Sequence, residues 1–526
     1  VADRGRRAAL ARRVLIWVAV VAAWEVLART LLAGRHLLGA PSGIVSKLVA
    51  NAGVYGRGLL YTSGEALWGY LLGNGAAVLL ALLVVLLPWS ERLVLRLALV
   101  VYCLPLVALG PLLRLVFGLN DGPQITLAAL AVYYLTLVPL LVGLRALPSA
   151  WLDLTATYGR GRWVTLVTVR ARAALPYLMA GLQTSVPAAF LGALVGEFTG
   201  AERGVGVLST LALRSLDTDG LWALMLLATA VSLLGYQAVA ALARRIAPET
   251  PPVLLAPSNV SPRPGWRRAL ASTGGALVAA VLVIGGWAAG FAAAGLNPYF
   301  AKRPWHVWEW LVAGPEAPAN RAGLLHAVAE TATVAVPGYF AGLGVGVVLA
   351  GVFSLSDRTR EALTPVAVAL RCVPIIAIAP LLVAALGRGA FGTAVVVAIM
   401  TFFPTMVACL YGLSQLPGQV ADVFATFDSS PGRTLWLGRL PAMAPAFFAA
   451  ARIAAPTALL AATVAEWLAT GSGLGNRMAV DAATSQYTSL WATVVVVTVL
   501  ALLAYTLVEF VESRVLARVA PEQLRW

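Results

Sequence analysis

Apolar residues in this chain gather in blocks about as long as a bilayer is thick. Runs of spanning length fall near 13–32, 59–87, 92–118, 125–146, 176–199 and 219–243. Six more fall near 270–294, 325–352, 361–386, 391–413, 445–469 and 486–511. A helix needs about 20 apolar residues to cross the hydrocarbon core, so the pattern predicts an all-α integral membrane protein of about 12 transmembrane helices. Between the two sets, Arg244–Arg268 is rich in arginine and in proline (Pro248, Pro251, Pro252, Pro257, Pro262, Pro264). That composition predicts an extended, exposed linker. The expected division is a six-helix domain at 1–243, a linker at 244–268 and a second six-helix domain at 269–526.

Composition agrees with lipid as the solvent. Hydrophobic residues are 60% of the 526 and charged residues 12%, about half the charged share of a soluble chain. The net charge of +15 does not point to nucleic acid, because the arginines sit in short loops and form no continuous basic face. With the N-terminus inside, Glu91–Arg96, Arg145–Arg172, the linker, Asp357–Arg360, Arg433–Arg439 and the tail with Arg514 and Arg518 are cytoplasmic. These hold most of the arginines, as the positive-inside bias requires, while Arg57, Arg203, Arg214 and Arg321 fall outside. Both termini are therefore expected in the cytoplasm. The basic start (Arg4, Arg6, Arg7, Arg12, Arg13) before Val14–Leu32 resembles a signal peptide. Glu25 and Arg29 interrupt that run and more spans follow, so a retained first helix is expected. Cys103, Cys372 and Cys409 lie in apolar runs and offer no disulfide framework. His36, His306 and His326 have no ligand spacing, so no metal site is expected.

The two sets of spans repeat each other. A single offset of 269 pairs Cys103 with Cys372, Pro105 with Pro374, Pro111 with Pro380, Gly118 with Gly387 and Gly143 with Gly412. It also pairs Pro148 with Pro417, Pro176 with Pro445, Glu197 with Glu466, and Tyr236 with Tyr505. Gly204 and Gly206 match Gly473 and Gly475, and Gly69-Tyr70 matches Gly338-Tyr339. This is a duplication. Six spans per copy return each half to the same side, which makes the repeats parallel, about an axis along the membrane normal.

The most informative segment is the loop between the fourth and fifth spans. In the first half it runs from Asp153 through Gly159 to Leu175-Pro176; in the second, from Asp422 through Asp428 to Leu440-Pro441 and Pro445. Each starts with an acid, continues in helix formers and meets proline where the next span is expected to start. This loop resembles the EAA loop of ABC importer permeases, and the Pro-x5-Pro-Leu runs at Pro105–Leu112 and Pro374–Leu381 resemble the nitrate/sulfonate/taurine branch. So do the Glu-[Phe/Trp] and Gly-x-Gly that follow. The resemblance covers essentially each whole half and implies a type I importer-like fold. It implies that Asp153, Ala156, Tyr158, Gly159, Asp422, Ala425, Phe427 and Asp428 face two ATP-binding cassette subunits. It also implies an extracytoplasmic substrate-binding protein and a bacterial inner membrane. Both loops carry Asp for Glu and lack the paired alanines, and Asp428 stands where glycine is expected, so unequal ATPase contacts are expected.

No P-loop is present: Lys47 follows Ser46 and Lys302 follows Ala301, and neither closes a glycine-rich turn. The chain is expected to bind no cofactor and to be no enzyme, with ATP and Mg on its partners. Glu197 and Glu466 are costly in lipid and so must face protein or water. With Gly204, Gly206, Gly473 and Gly475 they are candidates for an external gate, or for structural carboxylates that cap a helix or pair with Arg203 or Arg477. Pro105, Pro111, Pro374 and Pro380 predict a broken or kinked pore-lining helix. Pro41–Val49 and Pro304–Val312 predict amphipathic helices on the external face, with Trp305, Trp308 and Trp310 at the interface. The competing reading is a gradient-driven twelve-helix transporter, which Ser356–Arg360 echoes; the matching first-half stretch, Trp89–Arg92, does not.

Overall fold

Small residues decide how the spans pack. The computed structural model describes residues 18–30, 38–118, 120–145, 149–159, 161–247, 266–355, 372–373, 379–380, 382–383, 386–387 and 389–519. The first half comprises α1 (18–29), α2 (Pro41–Ala50), α3 (Ala52–Leu86), α4 (Glu91–Tyr102), α5 (Leu106–Phe117), α6 (Gly122–Arg145), α7 (Ser149–Thr157), α8 (Trp163–Phe198), α9 (Val205–Arg214) and α10 (Thr218–Ile246). In α3, one face turns Leu60, Leu67, Leu71 and Leu79 to lipid while Gly69, Gly73, Ala77 and Ala81 are buried. Gly73 lies so close to α6 that a Cβ would stand 2.5 Å from the Ala129 carbonyl oxygen. Apolar burial gives no net drive between helices in lipid, so this close van der Waals approach does the holding. α6 thus packs between α3 and α8.

The second half repeats the plan in α11 (Trp266–Ala293), α12 (Pro304–Trp308), α13 (Ala317–Ser354), α14 (Ala390–Ser414), α15 (Gly418–Thr426), α16 (Pro431–Ala469), α17 (Gly473–Ala483) and α18 (Tyr487–Val519). Gly342 meets the Ala398 carbonyl at 2.7 Å from its would-be Cβ, the same contact moved by the sequence offset. α7 and α15 have bounds that differ by that offset alone. The molecule is an all-α membrane protein of two six-helix repeats. Among the described residues, eight helices are long and apolar enough to cross a bilayer, nine if the α4–α5 pair, bent by 90°, counts as one span. The expected span at 361–386 lies largely outside the described residues, as do Asp357–Arg360 and residues 248–265 of the expected linker.

The fifth span of each half begins earlier than expected. Pro176 and Pro445 were expected in its first turn but lie inside α8 and α16. Each helix starts more than a dozen residues upstream and runs through a π turn, at Leu166–Arg170 and Leu435–Arg439. The wider turn takes up one extra residue without stopping the helix. Proline then removes a single donor and does not end the span.

At the end of the bundle away from α7 and α15, short helices cover the spans. α2 packs on α10: the Ala40 amide donates to Asp219 (2.9 Å) and Lys47 pairs with Asp217 (2.7 Å). That hydrogen bond raises the Lys47 pKa above its ordinary value. Glu25, which interrupts the first apolar run, accepts from the Ser42 amide (3.0 Å), and Arg29 donates to the Ser42 hydroxyl (2.7 Å), tying α1 to α2. In the second half α12 continues into a π turn at Glu309–Ala313. Trp305 and Trp308 are exposed there, and the Arg477 guanidinium lies 5.5 Å from the Trp310 ring centre. α11 packs on α4 of the other half.

Gly73→Val is expected to push α3 off α6 and lower stability by about 1–3 kcal/mol, read as a drop in the melting temperature of the purified chain in nanodiscs. Gly75→Val, two positions beyond the contact where the chain leaves open space, is the control that leaves the helix interface in place.

Candidate functional site

Two short helices, α7 and α15, project from one end of the bundle. Asp153 and Asp422 are exposed on them, as are Tyr158, Gly159, Ala425, Phe427 and Asp428; the Ala156 side chain lies outside the described residues. Both acids stand at the fifth helical residue, because the helices start at Ser149 and Gly418. The expectation that they sit at the N-terminus and favour its dipole is corrected, since that effect fades within the first turn. Each Asp carbonyl instead accepts from a threonine one turn on, Thr157 (2.9 Å) and Thr426 (2.8 Å). The chain leaves each helix through a left-handed residue, Gly159 (φ 63°) and Asp428 (φ 47°). After Asp428, the Ser429 amide closes on the Phe424 carbonyl at 3.0 Å, a Schellman-type ending. Phe424 leans on the π turn of α16, with its ring edge 2.7 Å from where a Gly438 Cβ would be. Trp151 and Trp163 in the first half, and Trp436 in the second, are more than half exposed beside these helices.

At the opposite end, each half carries the same buried carboxylate staple. Glu197, at the end of α8, accepts from Thr62 of α3 (2.6 Å) and from the Gly206 amide. The Val205 amide donates to the Thr62 hydroxyl at 2.9 Å. In the second half Glu466 accepts from Thr331 (2.9 Å) and the Gly475 amide (2.9 Å), while the Leu474 amide donates to Thr331 (2.9 Å). Each staple ties three helices and satisfies the N-terminal amides of α9 or α17. The glycines are steric requirements: Gly204 (φ 114°) and Gly473 (φ 87°) are left-handed, and a Cβ there would fall 2.1 Å from a Glu197 oxygen or 2.3 Å from the Glu466 carboxyl carbon. Gly206 and Gly475 lie against the same glutamates, 2.7 and 2.6 Å from would-be Cβ to glutamate Cβ. The pairing with Arg203 or Arg477 weighed for these glutamates is not what the structure has. Arg203 stacks on Tyr61 at 4.8 Å, and Arg477 bonds Ser489 at 3.3 Å.

Around the staples the halves differ. In the first, Glu65 is buried on α3 one turn from Thr62, and one of its carboxylate oxygens has no hydrogen-bond partner among the described residues. The matching residue is Val334. In the second, Glu330 accepts from the Gly473 amide at 2.9 Å and faces a cavity of about 260 Å³ with His326, Thr333, Thr393 and Glu466.

The third span of the first half is broken. α4 ends at Tyr102 and α5 begins at Leu106 after a bend of 90° across Cys103, Leu104 and Pro105. Pro111 lies inside α5. Pro374 is outside the described residues and Pro380 is half-buried in a described helical residue pair. Cys103, Cys372 and Cys409 are buried, and none forms a disulfide among the described residues.

The family profile described as "Binding-protein-dependent transport system inner membrane component" matches residues 59–249 and 342–517. The chain belongs to that family. Each match falls in one half, so this permease holds two family domains. A relative from Haemophilus influenzae described as an ABC transporter permease is 29% identical over 227 residues, 43% of this chain and 93% of that protein. The riboflavin transport system permease protein RibX of Chloroflexus aurantiacus is 32% identical over 130 residues, 25% of this chain and 48% of that protein. SsuC of Escherichia coli, described as an aliphatic sulfonates transport permease, is 26% identical over 212 residues, 39% of this chain and 81% of that protein. No solved structure matches the permease.

Sequence reading missed Thr62, Thr331 and Phe424 as structural partners of the permease's marked residues. The threonines were findable, since they obey the same offset as the glutamates they bind. Two substitutions test this local chemistry. Thr331→Val removes one of the two donors to Glu466, leaves the Leu474 amide unpaired and is expected to cost about 1–3 kcal/mol, seen as earlier thermal unfolding. Asp428→Gly removes a left-handed side chain and is expected to gain up to about 1 kcal/mol, measured the same way.

Proposed function

We propose that this permease is the membrane-spanning subunit of an ATP-driven, binding-protein-dependent importer of a small solute, worked by alternating access between its two fused halves. The observation that carries the reading is the pair of projecting helices at α7 and α15. They share one repeat position, extend beyond the spans and expose Trp151, Tyr158 and Phe427 to no partner within the described chain. Exposed aromatic side chains beside a rigid helix pair suit docking of another protein. In this reading α7 and α15 each receive one ATPase subunit in the cytoplasm, and ATP and Mg stay on those subunits. A substrate-binding protein delivers solute to the opposite end, near α9 and α17. Both termini lie in the cytoplasm. Closure of the ATPases draws α7 and α15 together, and the halves rock about the axis between them. Asp428 in place of glycine makes the second docking turn the stiffer one, so the two ATPase contacts are unequal. The solutes named for the relatives, riboflavin and aliphatic sulfonates, bound the class to small organic molecules.

The test is co-purification with the ATPase subunits, repeated with Asp153→Arg and Asp422→Arg. A stable complex lost on charge reversal at either helix supports the reading, with unequal losses for the two. Uptake into vesicles driven by a proton or sodium gradient, with no ATPase bound, sinks it in favour of a secondary transporter.

A further inference from the structure

Near the midpoint of α16 stands Arg452, 3% exposed, where the first half has Gln183. A cation at such depth is tolerated only among protein groups. Its Nη1 lies 3.2 Å from Glu512 and 3.8 Å from Glu509, both on α18, and its guanidinium carbon is 5.4 Å from the Tyr505 ring centre. The first-half positions matching the two acids are Ala240 and Ala243, so this charge cluster exists once. Among the described residues the buried Arg452 Nε has no hydrogen-bond partner.

The first half meets this cluster with aromatic hydroxyls. Tyr102 stacks on Tyr134 of α6 with ring centres 4.5 Å apart and planes at 21°. The Tyr102 hydroxyl lies 3.1 Å from that of Thr457, one turn beyond Arg452 on α16. Tyr102 is also the last residue before the 90° break, where the interrupted span leaves backbone groups that only protein or a wetted path can satisfy. An apolar cluster that includes Val107, Val195 and Val464 also joins the halves. Replacing buried ion pairs by apolar packing generally costs nothing, so adhesion alone does not call for this polar layer. Repeat-built transporters hold their solute at mid-depth, between the repeats and beside discontinuous helices.

We propose that Tyr102, Tyr134, Tyr505 and Arg452 form the solute-recognition layer of the import path, and that its solute is a planar heteroaromatic molecule with a carbonyl or anionic edge. The proposal rests on the importer reading above. When the halves part, the Tyr102–Thr457 hydrogen bond opens. The ring of the solute enters between the tyrosine faces, and Arg452 donates to its acceptor edge while Glu512 keeps the guanidinium in place. A small tetrahedral anion would use the arginine but leave the aromatic faces unused. Arg452 and the tyrosines are thereby specificity-determining residues.

The test uses the full chain with its ATPase subunits in nanodiscs, with a non-hydrolysable ATP analogue to part the halves. Riboflavin is the probe, because flavin emission is quenched by stacking on tyrosine. Saturable quenching is expected, weakened about tenfold by Arg452→Gln, the loss of one hydrogen bond to a charged group, and by Tyr102→Leu. Arg452→Lys should retain part of the affinity. Should Arg452→Gln alone fail to fold around an unpaired Glu512, the Arg452→Gln/Glu512→Gln variant removes both charges and must show the same loss. Quenching indifferent to these substitutions overturns the proposal, as does radiolabelled taurine binding where riboflavin does not, or the absence of any binding. Co-purified ATPase, followed in every variant, separates these failures from a failure of the importer reading.

Discussion

A carboxylate buried at a membrane helix end can bond only to protein, and this one fact organises each half. Glu197 and Glu466 each gather a threonine hydroxyl and a helix N-terminal amide. The threonine then takes the neighbouring amide, so two donors that lipid could not satisfy are both used. The geometry leaves room for nothing larger than hydrogen at Gly204 and Gly473. The direction of α9 and α17, and the seating of α3 and α13 against α8 and α16, follow from that contact.

The close helix approach is the second half of the same constraint. Gly73 and Gly342 bring α3 and α13 within reach of α6 and α14, and that approach sets the level at which each threonine meets its glutamate. A permease built this way is stiff within a half. Between the halves the contacts include an apolar seam and the tyrosine layer at the break after Tyr102.

The spans and the duplication were legible in the sequence because lipid imposes a length and a single offset preserves register. The staple glutamates and their glycines were also marked, although not their partners. What reads poorly is anything decided by helix continuation: proline normally signals a start, but π turns let α8 and α16 run through Pro176 and Pro445. Asp153 and Asp422 read as helix starts for the same reason, since the residues before them in α7 and α15 carry no capping signature strong enough to place the first turn. Arg452 carried no signal at all, because its acids lie on α18, far along the chain, and its offset partner is a glutamine.

Covalent fusion of the halves bears directly on that arginine. A symmetric homodimer would encode every residue twice, so one codon change to arginine at this depth would set two cations facing each other across the axis. Like charges in a medium of low dielectric repel strongly, and each would need its own pair of acids. A fused chain escapes this arithmetic: one copy mutates while the other keeps its neutral residue. Gene fusion thus opens to the transporter a range of one-sided path chemistries closed to its two-gene-copy counterparts, and relatives with a single family domain are expected to hold neutral residues where this chain has Arg452.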